Sequence, residues 1–276
     1  MRESLICIGK TTKNGYCFED TGIRVFSYEE LCFYLSQHMI CYLSTLPGED
    51  LLIFLREELG LSKLSRQLYK LLDPEKDQMK YFAALFREGN YFTEEEIRDI
   101  LDHYRELKNE PVFRQEKKKG DLYVKCGRAQ KALGCYRKAL KQPKLPEEEK
   151  GALYHNQGIA WMKLFRFTDA RLSFLKAYRY TGDEKSLFYY YCVIAFSEGQ
   201  ECAGKELAAL DASDILLEAF EDRLEEMKEE FLTSAAGVCY RKILYMKENG
   251  RAQEAAERKA EMVQSLRHDF RKEIDT

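Results

Sequence analysis

The sequence predicts a mainly all-α chain, and three observations carry that prediction. Proline and glycine are sparse, 5 and 16 in 276 residues. Leu, Glu, Lys, Ala and Tyr recur throughout, and most of these side chains lose little rotamer freedom in a helix. Apolar residues repeat at helical spacing in runs separated by turn signals such as Pro47-Gly48, Gly60, Asp73-Pro74 and Gly89-Asn90. A hydrophobic content of 45% with 13% aromatics supplies ample core material for one large domain or two smaller ones.

The opening segment reads differently. Leu5-Ile6-Cys7-Ile8 and Tyr16-Cys17-Phe18 flank a stretch from Gly9 to Gly15, in which Asn14-Gly15 accepts positive φ, so a small β-hairpin is expected, with a third short strand at Ile23–Phe26. Ser27 then precedes Glu29-Glu30 and the periodic Leu31, Tyr34 and Leu35, a helix N-cap pattern that predicts a helix over 28–44. The breakers place further helices near 49–59, 61–72 and 75–88. Thr93 followed by Glu94, Glu95 and Glu96 starts another, over 93–109, with acidic groups where the helix dipole favours them. We divide the chain into an N-terminal region, 1–110, and a helical repeat domain, 111–276.

Self-similarity begins at residue 113. Gly120, Tyr123, Ala132, Tyr136 and Ala139 are matched by Gly158, Trp161, Ala170, Phe174 and Ala177, each 38 positions on. This small-and-aromatic pattern resembles the tetratricopeptide repeat (TPR), in which small residues let two antiparallel helices approach and aromatics fill the spaces beside them. The usual period is about 34 residues. The insertion Gln142–Glu147 accounts for the difference. Gly127 is the turn of the first unit, 113–146; in the second, 151–184, Phe165 stands where a turn glycine is common and Gly182 where a proline often closes the repeat. A weaker third unit places Leu187, Tyr190, Tyr191 and Ile194 on its first helix, Gly199 at the turn, and Ala203 and Leu207 on its second. Degenerate units are expected around 81–104 and 240–263. A long helix from Ser213 to Glu248, interrupted near 234–237, and a final helix over 251–272 with a thinner apolar stripe of Ala255, Met262 and Leu266 and a polar outer face would close the array.

The resemblance implies a right-handed α-solenoid of TPR-like helical hairpins that holds a peptide or a helix of another protein in its concave groove. Because the inner helices of this family carry the ligand contacts, it points to Lys117, Asp121, Tyr154, His155, Asn156, Lys185 and Tyr189. One branch of the family clamps the carboxylate end of chaperone tails. Lys117, Asn156 and Lys185 match three of its positions, but Asp121 puts a negative charge where an amide belongs and would repel a carboxylate, and Tyr189 replaces an arginine. In the aromatic run Phe188-Tyr189-Tyr190-Tyr191 successive rings point about 100° apart, so not all of them face the core.

Other chemistry is thinly represented. A net charge of -3 gives no overall field for nucleic acid or anionic lipid. Nine cysteines, Cys7, Cys17, Cys32, Cys41, Cys126, Cys135, Cys192, Cys202 and Cys239, include no Cys-x-x-Cys pair, which fits reduced thiols in the cytoplasm. The start lacks the apolar run of a signal peptide, and Leu31–Leu46 falls short of a membrane span. Gly9-Lys10-Thr11 lacks the earlier glycine of a phosphate loop, Ser4 standing there. Cys32, His38 and Cys41 spread around a helix rather than converge on a metal. The expectation is a non-enzymatic cytoplasmic scaffold with no cofactor, no metal, no nucleic-acid or membrane partner, and one protein or peptide partner; assembly of further copies of the chain is left open. The alternative is a regulatory protein whose N-terminal segment docks a separate partner or ligand.

Overall fold

The described residues, 9–72 and 77–274 of this computed structural model, form fourteen α-helices and one two-stranded antiparallel sheet. They fall into two compact units that divide between Cys126 and Gly127.

The first unit begins with β1 (Thr11–Cys17) and β2 (Arg24–Ser27), paired through Tyr16 opposite Val25 and Cys17 opposite Arg24. The hairpin therefore joins the second and third expected strands; the first, Leu5–Ile8, lies outside the described residues. Its turn is at 18–22, where the Gly22 N–H donates to the Phe18 carbonyl (2.7 Å) with Gly22 at φ 73°. Asn14-Gly15 is not the turn but sits inside β1, where the register slips between Thr11 and Tyr16. A Cβ on Gly15 would lie 2.7 Å from the Phe26 ring, so the glycine makes room for an aromatic neighbour rather than reversing the chain.

Ser27 caps α1 (Tyr28–Gln37), its Oγ accepting the Glu30 N–H at 3.1 Å. The helix stops at His38, short of the expected residue 44. There Ser36 Oγ takes the Phe33 carbonyl (2.8 Å) and His38 Nδ1 takes the Tyr34 carbonyl (2.7 Å), so side chains compete with backbone donors for the last turn. A 3₁₀ turn at Met39–Tyr42 follows. Next come α2 (Glu49–Glu57), α3 (Ser62–Tyr69), α4 (Gln78–Arg87), α5 (Glu94–Asn109) and α6 (Val112–Lys125). Asp73-Pro74, the expected break before α4, is outside the described residues. Thr93 and Glu96 form a reciprocal capping box at the start of α5. The core of this unit is built from Leu31, Leu35, Leu55, Leu68, Tyr81, Phe82, Phe86 and Tyr104, all fully buried. The Tyr104 hydroxyl bridges the Tyr42 carbonyl (3.0 Å) and the Gln78 amide oxygen (2.7 Å), which satisfies a polar tip inside that core.

The second unit is helical throughout: α7 (Ala129–Leu140), α8 (Glu147–Lys163), α9 (Phe167–Thr181), α10 (Glu184–Glu198), α11 (Gln200–Ala208), α12 (Asp214–Thr233), α13 (Ala235–Glu248) and α14 (Ala252–Ile274). Most sequential helices pack on one another, most extensively α8 on α9 and α9 on α10, while α12 packs on α10. Glycine makes the first of these approaches possible. A Cβ on Gly158 would stand 2.6 Å from the Phe174 ring, and one on Gly151 would collide with Thr181 Cγ2. The five repeat positions Gly158, Trp161, Ala170, Phe174 and Ala177 lie on α8 and α9, and Ala170, Phe174 and Ala177 are fully buried. Gly127 has φ 76° before α7, and Phe165, 38 residues on, adopts φ 55° before α9. A phenylalanine thus occupies a left-handed backbone position that ordinarily favours glycine.

Leu187, Tyr190, Tyr191 and Ile194 of α10, with Ala203 and Leu207 of α11, form a core closed on the far side by Phe220 and Leu224 of α12. The interruption expected near 234–237 is the α12–α13 corner, where Ser234 caps α13 by accepting the Gly237 N–H at 3.1 Å. In α14 Ala255 is buried and Leu266 is more than half exposed, so the thin stripe is covered at its first position and open to solvent at its last. It packs on α13 and reaches back to α7, and its Phe270 meets Phe165 edge-on at 5.5 Å.

Candidate functional site

The residues singled out by the repeat pattern separate into two groups. Lys117 and Asp121 lie on α6, one turn apart, and pair with each other: Nζ to Oδ2 is 3.2 Å. The lysine charge is thereby matched within its own helix. Asp121 also borders a cavity of about 400 Å³ shared with Met39, His103 and Leu107 in the first unit.

Tyr154, His155, Asn156, Lys185 and Tyr189 lie in the second unit, the first three on α8 and the others on α10. Here the structure builds a continuous aromatic surface. Phe188, Tyr190 and Tyr191 are buried, which leaves Tyr189 as the half-buried ring of the run. Its ring stacks on Phe174 (5.3 Å, 26° between planes) and receives the edge of His155 (5.2 Å, 88°). His155 in turn meets Phe174 at 5.4 Å. One buried phenylalanine thus supports both surface rings.

Tyr154 lies parallel to Tyr180 of α9 at 5.7 Å. Lys176 Nζ is 5.2 Å from the Tyr154 ring centre, and Lys150 Nζ 5.4 Å from that of Tyr180. The arrangement is symmetric, since each helix contributes a lysine and, one turn later, a tyrosine, and the antiparallel packing crosses them. Cations over ring faces at this range contribute about 0.5–1 kcal/mol each at partly exposed sites.

A hydrogen-bonded chain underlies the His155 ring. Asp183 caps α10, accepting the N–H groups of Lys185 (3.3 Å) and Ser186 (3.1 Å), and Ser186 Oγ donates to Asp183 Oδ2 at 3.0 Å. A hydroxyl has one proton, so Ser186 Oγ accepts from His155 Nδ1 across 2.9 Å, which fixes the Nδ1–H tautomer. Histidine, serine and aspartate do meet here, although their separation in sequence gave no sign of it. Their order is His–Ser–Asp, with the serine 1% exposed and already donating to the carboxylate, so the hydroxyl is a structural bridge, not an activated nucleophile. Ser186, Asp183 and Phe174 were missed as site residues. The Asp183–Ser186 spacing at the head of an apolar run was a legible capping signal; the link to His155, 31 residues earlier, was not.

Burial pushes the His155 imidazole below its ordinary value, the Lys185 ammonium pushes it further down, and Asp183 opposes both. His38 is lowered as well, by burial, against the pull of the Tyr34 carbonyl. The unfolded chain therefore takes up protons near pH 6.5 that the folded chain refuses. Stability is full above that pH and declines as pH falls through it. Thermal melts at pH 7.5, 6.5 and 5.5 should show falling Tm, and His38→Asn with His155→Asn should flatten the trend; a Tm constant over this range would disprove the assignment.

Elsewhere, the Gly9 N–H donates to Glu29 Oε1 at 2.7 Å, so a carboxylate occupies the position that a phosphate-loop reading would give to phosphate. Cys32 and Cys41 are buried, and burial raises their thiols to about 12 and about 11. Among the described residues, no group of three or more His, Cys, Asp or Glu is placed to hold a metal, and no helix is long and apolar enough to cross a membrane. Comparison with family models, with curated proteins and with solved structures found no match.

Proposed function

We propose that this chain is an interaction scaffold of the tetratricopeptide type, a right-handed α-solenoid in the cytoplasm that holds a peptide or helix of another protein and catalyses no reaction. The observation that carries the reading is the aromatic surface of α8 and α10, where Tyr189 and His155 are held half-exposed over the buried Phe174. Rigid rings on a preformed support lose little freedom on binding, which is why aromatic residues recur as interface anchors. The 38-residue repetition from Gly120 to Ala177 and the glycine-mediated packing of α8 on α9 support the family assignment. The Lys117–Asp121 pair argues against a carboxylate clamp, because the lysine is matched and the aspartate repels.

The test is recovery of cross-linked partners from native cells with the parent chain and with a Lys117→Ala/Asn156→Ala/Tyr189→Ala variant of unchanged helicity. Loss of a specific partner by about tenfold or more is expected for anchor residues. Full retention of every partner by the variant would refute the groove.

A further inference from the structure

The α2–α3 hairpin of the first unit carries a surface that the reading above does not use. Between the two helices lies an open cleft of about 780 Å³. Its floor is apolar: Leu52 is buried, while Ile53 is about half exposed and Tyr69 61% exposed. Its rim is cationic, with Arg56, Lys63, Arg66 and Lys70 set against one carboxylate, Glu49. Four positive side chains line the cleft against Glu49, and with Glu57, the carboxylate that pairs with Arg56, counted in, the patch keeps a net +2, on a chain whose total is -3. Arg56 pairs with Glu57 at 2.9 Å, and Arg66 Nε donates to the Ser62 carbonyl at 3.2 Å. Large apolar side chains in contact with water beside an excess of positive charge suit a partner of opposite charge.

We propose that this cleft docks a short acidic amphipathic helix. The cations come from both helices rather than from one point, which suits carboxylates spaced along a rod better than a single phosphate. The apolar floor requires hydrocarbon from the ligand, which a nucleic-acid backbone does not supply. Helices of nine and eight residues rise about 13 Å, so the cleft accommodates two to three turns of an occupant. Its apolar stripe would rest on Ile53 and Tyr69 and its carboxylates on Lys63 and Arg66. The proposal is independent of the second-unit groove.

The probe is a fluorescein-labelled peptide of about 14 residues in which Glu and Leu repeat at helical spacing, titrated with the full chain and read by anisotropy. We expect binding that weakens markedly as salt is raised. Lys63→Glu with Arg66→Glu should lower affinity at least about tenfold, and Ile53→Ala with Tyr69→Ala by about the same factor. These side chains are exposed, so both variants should keep the parent circular dichroism spectrum. Absence of peptide binding, indifference to both pairs of substitutions, equal binding of a Lys/Leu peptide, or displacement of the peptide by a DNA oligonucleotide would each overturn the proposal.

Discussion

Phe174→Ala should cost the second unit about 3–5 kcal/mol, the range for removing a buried phenylalanine. The ring is fully buried, and it fills the space left by the missing side chain of Gly158. Its loss opens a cavity between α8 and α9 that neither backbone can close, because their approach is set at a second contact, Gly151 against Thr181. At about 2–4 °C per kcal/mol for a unit of this size, the expected fall in Tm is roughly 10 °C. The same substitution removes the support under His155 and Tyr189, so the proposed partner binding should weaken even at temperatures where the variant stays folded. Chemical denaturation measures the first effect and binding at low temperature the second. A variant within about 1 kcal/mol of the parent would mean that the ring is not the keystone of this packing.

Gly237→Ala should break the α12–α13 corner. A Cβ at this position would collide with the Phe231 carbonyl oxygen and with Leu232 Cα, which are backbone atoms that cannot turn aside. Ser234 fixes the same corner from the other direction, its Oγ donating to the Phe231 carbonyl (2.6 Å) while accepting the Gly237 N–H. The methyl group can be accommodated only by opening the corner and giving up this cap. A penalty of about 3 kcal/mol is expected, at the upper end for overpacking. Few residues of α13 and α14 are buried, so the loss should appear as faster hydrogen exchange in those two helices while α8–α10 keep their protection. Uniform acceleration across the second unit, or none, would contradict a local corner.

The capping grammar of the chain was readable in advance because each cap depends on residues within one turn. Ser27, Thr93 and the Ser234–Gly237 corner all stand where sequence reasoning placed a helix start or interruption. The misreadings share a different cause. Asn14-Gly15 carries the strongest local turn signal in the first unit, but Phe26 from the neighbouring strand claims the space beside Gly15, and that contact is invisible to a local pattern. The end of α1 at His38 depends on which carbonyl an imidazole finds. In the candidate site, a 100° advance per residue showed that not every ring of 188–191 could face the core, without naming Tyr189 as the one left at the surface. The chain from Asp183 through Ser186 to His155 joins two helices and has no periodic signature at all.

Phe165 bears on the order in which the second unit assembles. A left-handed phenylalanine is disfavoured by its own backbone, so the α8–α9 turn relies on its local hydrogen bonds, Phe165 N–H to the Met162 carbonyl (2.9 Å) and Arg166 N–H to the Trp161 carbonyl (3.0 Å), and on what surrounds it. Part of that surrounding is Phe270, near the opposite end of the unit. Synthesis runs from the N-terminus, so Phe165 leaves the ribosome well before Phe270. The nascent hairpin would then pass through a period in which Phe165 has only its local ring neighbour, Phe167, and arrival of the last helix would add the second, Phe270.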